Sequence, residues 1–111
     1  MTDFLYLFRG GDTTPSAAQR EAQMQKWVAW IRDLEARGHL KDRGKALRAG
    51  GRVVRSKKPV TDGPYSEKDL VVGYLMVEAT DLDQATSLSA GCPILDTGGS
   101  VEVRPILNVP K

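Results

Sequence analysis

The feature that most constrains the fold is an unbroken apolar stretch, Leu70 to Val77, which comes shortly after a turn. A run of this length and character predicts a strand that is buried on both faces. The turn contains Asp62, Gly63 and Pro64: Asp can cap its own turn, Gly accepts a positive φ, and Pro fixes φ near about −65°. Tyr65 follows directly. These residues fit two interpretations, the rim of a pocket beside the core or an ordinary tight turn.

A second apolar run, Phe4 to Phe8, predicts another strand with both faces covered, since aromatic and leucine side chains alternate along it. Thr14 and Pro15 form a helix start signal, with Thr14 as N-cap and Pro15 at the first helical position. We expect the helix to continue to about Arg37 and to end at Gly38.

Apolar residues recur every three or four positions along this helix, at Met24, Trp27, Val28, Ile31 and Leu34, and Trp30 widens the stripe. The two tryptophans suit either a core or the aromatic wall of a pocket. Arg20 falls in the same sector near the helix start. Its side chain could reach out to water or look into a pocket.

The middle and end of the chain predict shorter elements. Lys45–Arg48 and Arg52–Arg55 flank a Gly-Gly pair and predict a hairpin. Gly73, inside the long apolar strand, indicates a bulge or a close backbone approach. Asp81 has the spacing of an N-cap for a short helix, and Ser100–Arg104 alternates as a half-buried strand does.

The resulting order is β-α-β-β-α-β with an extra hairpin, which predicts one domain over residues 1–111 of the ferredoxin-like α+β class. Both helices would cover one face of an antiparallel sheet. The other face still carries apolar side chains, and nothing remains in the chain to cover them. We therefore expect a homodimer that joins the two sheets face to face.

Charge and composition exclude several classes of function. The 16 basic and 14 acidic residues are interspersed, and the basic segment between Arg43 and Lys58 contains no aromatic residue, which argues against nucleic-acid binding. With one Cys no internal disulfide is possible, and one Cys with one His cannot form a zinc site. No apolar run approaches a membrane span and no export signal is evident, so we expect a soluble cytoplasmic protein. The sequence has no dinucleotide fingerprint or phosphate-binding glycine loop, and we expect no cofactor.

Several motifs together resemble the YCII-related family, in the branch known as DGPF-domain proteins. The motifs that carry the resemblance are Asp62-Gly63-Pro64-Tyr65-Ser66-Glu67, Val72-Gly73-Tyr74-Leu75, Asp81-Leu82-Asp83-Gln84-Ala85, Gly91-Cys92-Pro93, Gly98 to Pro105, and Met24 to Trp30. The resemblance implies a dimeric α+β barrel with a pocket in each subunit. Relatives were proposed to be enzymes because a His on the first helix lies near the Asp of the turn. Here the helix from Thr14 to Arg37 has no His, and Trp27 and Trp30 take its pocket-facing positions.

Two functions follow as hypotheses. In the first, the protein binds an unknown small molecule in a pocket formed by Arg20, Trp27, Trp30 and the turn Asp62-Gly63-Pro64-Tyr65. In the second, it is a small enzyme of the dimeric α+β barrel type with Asp62 as general acid or base. An acid–base pair needs its partners within hydrogen-bond reach, and Asp62 lacks the imidazole partner of the relatives.

Overall fold

The computed structural model describes residues 1–11, 15–48, 50–54, 56, 61–62 and 70–108, with the backbone alone for residues 61–62. The elements in chain order are β1 (Thr2–Arg9), α1 (Ala17–Ala36), β2 (Leu40–Ala46), β3 (Arg52–Val53), β4 (Thr61–Asp62), β5 (Val71–Ala79), α2 (Leu82–Ser89), a 3-10 helix (Pro93–Thr97) and β6 (Ser100–Pro105).

The strands form an antiparallel four-stranded sheet in the order β2-β5-β1-β6, and β3 pairs with β4 in a separate two-stranded sheet. The two most apolar strands, β1 and β5, therefore take the centre of the main sheet. Without the short β3–β4 pair the order is β-α-β-β-α-β. The expected ferredoxin-like α+β fold is confirmed.

The core lies between one face of this sheet and both helices. Phe4, Tyr6 and Phe8 of β1 are at most 4% exposed, and the pairing register places Val77 and Leu75 opposite the first two. The helices add buried side chains to the same cluster: Trp30 and Leu34 from α1, Ala85 and Leu88 from α2. The helices thus share one face of the sheet.

Helix α1 begins two residues later than Thr14 and Pro15 suggested. Its N-cap is Ser16, whose hydroxyl accepts from the Gln19 amide at 3.1 Å while the Gln19 side chain accepts from the Ser16 amide at 2.8 Å. This reciprocal capping box satisfies two amides that would otherwise lack partners at the helix start. The Ser-x-x-Gln spacing is visible in the sequence, and the expectation of a cap at Thr14 was wrong. The helix ends at Ala36 and Gly38 follows with a φ of 79°, as expected.

The buried stripe of α1 is narrower than the sequence pattern indicated. Trp30 and Leu34 are buried and Trp27 and Ile31 pack against them, but Met24 is 64% exposed and Val28 is 39% exposed. Helix α1 therefore packs on the core through positions 27, 30, 31 and 34, and Met24 and Val28 lie outside that contact. In α2, Ala85 and Leu88 are buried and Leu82 is 49% exposed.

The expected hairpin between Lys45–Arg48 and Arg52–Arg55 is not formed. Lys45 and Ala46 belong to β2 and pair with β5, whereas Arg52 and Val53 pair with β4. The local turn signal was outweighed by pairing with the apolar central strand, which buries more surface than a short charged hairpin could.

Two glycines fix how closely β2 approaches β5. A Cβ on Gly73 would lie 3.0 Å from the Lys45 carbonyl oxygen, and β5 has a register shift opposite Phe8 and Arg9, so the expected bulge and close approach are both present. Gly44 is tighter still: its φ is 65°, and a Cβ there would lie 1.7 Å from the Tyr74 carbonyl oxygen. Only glycine meets both conditions.

The second face of the sheet carries a small apolar patch. The register places Leu5 opposite Met76 and Leu7 opposite Tyr74, and all four side chains are half-buried. Charged pairs border the patch, Arg9 with Glu102 at 3.2 Å on one side and Lys41 with Glu78 at 3.0 Å on the other. The sequence-based expectation of an apolar second face agrees with this arrangement.

Candidate ligand-binding cleft

A cleft of about 700 Å³ lies between the N-terminal half of α1 and the sheet. The end of β1, the start of β5 and the end of β2 form its base, and the 3-10 helix closes one side. A volume of this size suits a small organic molecule, because such sites commonly measure about 300–1,000 Å³.

The base of the cleft is aromatic and aliphatic. Phe8 and Trp27 meet edge to face with ring centroids 4.9 Å apart. Ile31, Leu75 and Ile94 lie in the same lining. Because Phe8 and Leu75 are 4% and 1% exposed, this base is part of the packed core and is already held in position without a ligand.

The charged side chains of the cleft lining are exposed, whereas Phe8 and Leu75 at its base are buried. The lining holds basic side chains from two elements, Arg20 and Lys26 of α1 and Arg43 and Lys45 of β2. Gln23 of α1 donates to the Pro93 carbonyl oxygen at 2.7 Å, which ties the helix to the 3-10 helix across one end of the cleft. A polar rim around an apolar base is the usual arrangement of a ligand site, since the rim orients a molecule that the base holds.

The structure divides the residues singled out from the sequence into three groups. Arg20 and Trp27 both line the cleft. Trp30 lies in the core instead: it is 8% exposed, stacks near Tyr6 with centroids 6.1 Å apart, and donates its indole N–H to the Leu88 carbonyl oxygen at 3.3 Å. The third group consists of the turn residues Asp62, Gly63, Pro64 and Tyr65.

Asp62 is described only by its backbone, which pairs with Arg52 in the small second sheet. Gly63, Pro64 and Tyr65 lie outside the described residues. The described chain resumes at Leu70, whose carbonyl oxygen accepts a hydrogen bond from the amide of Gly10 at 3.2 Å. Gly10 lines the cleft.

Two buried groups have strongly shifted acidities, but both belong to the core. Burial raises the pKa of the Cys92 thiol to about 12, and burial likewise raises the pKa of the Tyr6 phenol. Tyr6 donates its hydroxyl hydrogen bond to the Ala85 carbonyl oxygen. Desolvation explains both shifts, and both side chains therefore act as structural groups that keep their protons.

His39, the single histidine, is also accounted for by the fold. Its Nδ1 lies 2.8 Å from the Glu78 carbonyl oxygen, and its own carbonyl oxygen accepts from the Glu78 amide at 2.7 Å. Since a carbonyl oxygen can only accept, Nδ1 carries the proton. His39 thus joins the start of β2 to β5, away from the cleft lining.

No cluster of three or more His, Cys, Asp or Glu side chains in the described residues could hold a metal ion. Over the same part of the chain, no helix has the length and hydrophobicity that would let it cross a membrane.

The contribution of β2 to the cleft was not predicted from the sequence. Arg43 and Lys45 were assigned to an exposed basic segment, and only the sheet order brings them beside α1. The residues of the 3-10 helix, Ile94 and Thr97, were also missed. A Cys-Pro step followed by apolar residues signals a tight segment but not the side of the sheet on which it lies.

Comparison with known proteins adds the following. No curated protein matches the chain. Eight chains of solved structures do, among them 5-chloro-2-hydroxyhydroquinone dehydrochlorinase (TftG) from Burkholderia phenoliruptrix AC1100 in complex with 2,5-dihydroxybenzoquinone. That structure is 17% identical to this chain with a TM-score of 0.49, and the match covers 96% of this chain and 95% of that one. The sequence profile of the YCII-related domain matches residues 5–110. The chain therefore belongs to the YCII-related domain family.

Proposed function

We propose that this protein binds a small molecule in the cleft between the N-terminal half of α1 and the sheet. The observation that carries the proposal is the combination of an apolar base, anchored in the core at Phe8 and Leu75, with a polar rim from α1 and β2. An apolar lining with a few polar groups around it is the arrangement that small-molecule sites commonly have.

The proposal includes Arg20 and Trp27 as ligand contacts and keeps the Asp62-Gly63-Pro64-Tyr65 turn beside the site. Chain connectivity supports the second part. The segment that contains the turn leads to Leu70, which is hydrogen-bonded to Gly10 at the base of the cleft. Only seven residues, 63–69, separate Asp62 from Leu70.

Filling the cleft tests the proposal. Ala22 and Ala29 are both exposed alanines of α1, but only Ala22 lines the cleft. We expect Ala22→Phe to abolish binding of cleft-sized ring compounds, and Ala29→Phe to leave it unchanged. The probes are indole, cinnamamide and cinnamate, and binding is measured by saturation-transfer NMR and by the rise in Tm that a native-state ligand produces. If no probe binds the wild-type protein, or if all bind both variants alike, the proposal is wrong.

Asp62→Ala in the same assay examines the turn. A probe that raises the Tm of the wild-type protein but not that of the variant would include Asp62 in the site. Equal rises in Tm would remove Asp62 from the binding account and leave the cleft itself in place.

The proposal also includes a homodimer that joins the sheets through the patch of Leu5, Leu7, Tyr74 and Met76. The support is the apolar character of these side chains on a face that neither helix covers. Light scattering at low micromolar concentration is the measurement, with Leu7→Arg expected to give a monomer. Leu82→Arg, the same change at a 49% exposed leucine of α2, is the control. A monomeric wild-type protein would contradict the dimer.

A further inference from the structure

We infer that the cleft selects an anionic ring compound, a molecule with one carboxylate-like group on a flat apolar body. This inference rests on the proposed function and narrows it to a chemical class. Three features of the cleft lead to it: the sign of its charges, the pairing state of its basic side chains, and its aromatic base.

The charge of the lining is strongly one-sided. Among the described residues of the cleft there are four basic side chains, Arg20, Lys26, Arg43 and Lys45, and one acidic side chain, Asp96. The whole chain is nearly balanced, with 16 basic and 14 acidic residues. Within the described lining the excess of positive charge is therefore a local property, and it favours anions there.

Two of the four cations already have carboxylate partners. Lys26 lies 3.6 Å from Asp96, and Arg43 lies 2.8 Å from Glu35. Arg20 and Lys45 form no ion pair within the described ranges. They come from opposite sides of the cleft, one from the helix and one from the sheet. These two cations are therefore available to an anion in the cleft.

The start of α1 adds charge of the same sign. Pro15, Gln19 and Arg20 border the cleft, and the first turn of the helix contains no acidic residue. The amides at a helix N-terminus carry a partial positive charge, which an acidic side chain would usually offset. Here it remains available to strengthen the attraction that Arg20 exerts on an anion.

A small inorganic anion would leave most of the cleft unused. The base made by Phe8, Trp27 and Ile31 is apolar, and the hollow of about 700 Å³ is far larger than one carboxylate needs. Trp27 is only partly buried and offers ring surface against which a flat apolar body can pack, while Phe8 supports it edge to face from the core. The site therefore suits a molecule with both parts, a ring for the base and an anionic group for Arg20 and Lys45.

Isothermal titration with two matched probes tests this inference. Cinnamate and cinnamamide have nearly the same size and ring, but only cinnamate is charged at neutral pH. We expect the wild-type protein to prefer cinnamate by about tenfold at low ionic strength, as one charge-assisted hydrogen bond provides. The preference should shrink as salt is added, because the cations are exposed.

Single substitutions test which side chains cause the preference for cinnamate over cinnamamide. Arg20→Met and Lys45→Met should each weaken cinnamate binding severalfold while changing cinnamamide binding little. Arg32→Met removes the same charge from an exposed position of α1 outside the cleft lining, and the preference should survive it. If Arg32→Met lowers the preference for cinnamate as much as Arg20→Met and Lys45→Met do, the overall charge of the protein is responsible and the inference is overturned.

The outcomes separate this inference from the proposed function. Equal binding of cinnamate and cinnamamide, blocked by Ala22→Phe, would keep the ligand site and reject the anionic class. Acetate that competes with cinnamate at equal concentration would show a simple anion site and would also reject it. Failure of every ring probe to bind would reject the proposed function itself.

Discussion

The hydroxyl of Tyr6 donates a hydrogen bond to the backbone carbonyl of Ala85, so the centre of β1 is tied directly to α2 through the middle of the core. Tyr6 is fully buried, and its ring also stacks near Trp30 of α1. One side chain therefore contacts the sheet and both helices.

Removal of this hydroxyl should destabilise the fold. We expect Tyr6→Phe to lower the free energy of unfolding by about 1–2 kcal/mol, because a buried hydrogen bond is lost and the ring is kept. Urea unfolding followed by circular dichroism measures the change. Tyr74→Phe is the control. Tyr74 is half-buried on the other face of the sheet, and its side chain makes no hydrogen bond to a described residue. Removal of the Tyr74 hydroxyl should therefore lower the free energy of unfolding by less than about 0.5 kcal/mol. Equal effects of the two changes would contradict the structural role of Tyr6.

The close contact at Gly44 gives a second prediction. Gly44 and Gly38 have similar positive φ values, 65° and 79°, but a Cβ at Gly38 would meet nothing within 4 Å. We expect Gly38→Ala to cost about 1 kcal/mol through backbone strain alone. Gly44→Ala should cost more than about 3 kcal/mol or prevent folding, since β2 must also move away from β5. The melting temperatures of the two variants give the comparison, and similar values would show that β2 lies further from β5 than described.

The start of α1 is tested at its cap. Ser16→Ala should lower the stability by about 1 kcal/mol, because the Gln19 amide loses its acceptor. Ser16→Asp supplies another good acceptor and should restore the wild-type value. Chemical denaturation of the three proteins measures their free energies of unfolding. If Ser16→Ala leaves the free energy of unfolding unchanged, another residue caps the helix.

The buried thiol of Cys92 predicts a dependence of stability on pH. In the unfolded chain a thiol releases its proton near its ordinary pKa of 9, whereas in the folded protein burial raises the pKa to about 12. The contribution of this group is therefore fully present below the unfolded pKa and is lost as the pH rises toward the folded value. Between about pH 8 and pH 10.5 the stability of the wild-type protein should fall more than that of Cys92→Ala.

Urea unfolding at the two pH values provides the measurement for Cys92. The variant should be less stable at the lower pH because it leaves a small cavity, so the quantity to compare is the change with pH and not the absolute stability. An equal fall in both proteins would show that the thiol is accessible to water in the folded state.

The architecture could be predicted because its strongest determinants are local in the sequence. Phe4 to Phe8 and Leu70 to Val77 read as buried strands without any structural information, and together with the helix after Ser16 they leave few possible topologies. Gly73 and Asp81 were also interpreted correctly, since a bulge and an N-cap depend on one or two residues.

Long-range pairing explains most of what the sequence did not show. Lys45 pairs with β5 and not in a local hairpin. Which of these two pairings forms depends on how much surface each one buries, and the buried areas cannot be read from a single sequence. The same holds for the cleft: Arg20 and Trp27 could be named from the helix, but Arg43 and Lys45 became part of the rim only through the strand order. Met24 and Val28 were wrongly assigned to the buried stripe of α1, because periodicity predicts which side of a helix is buried but not how wide the buried stripe is.

The two edges of the sheet have a consequence for how copies of the protein can assemble. On the β2 edge, Lys41, Asp42, Arg43 and Lys45 are all exposed and the pairing is irregular; on the β6 edge, Arg104 and Pro105 are exposed. Charged side chains, bulges and proline discourage a neighbouring chain from adding a further strand. Both margins of the main sheet therefore disfavour growth into an open-ended ribbon, which leaves the faces of the sheet as the better surfaces for contact between copies.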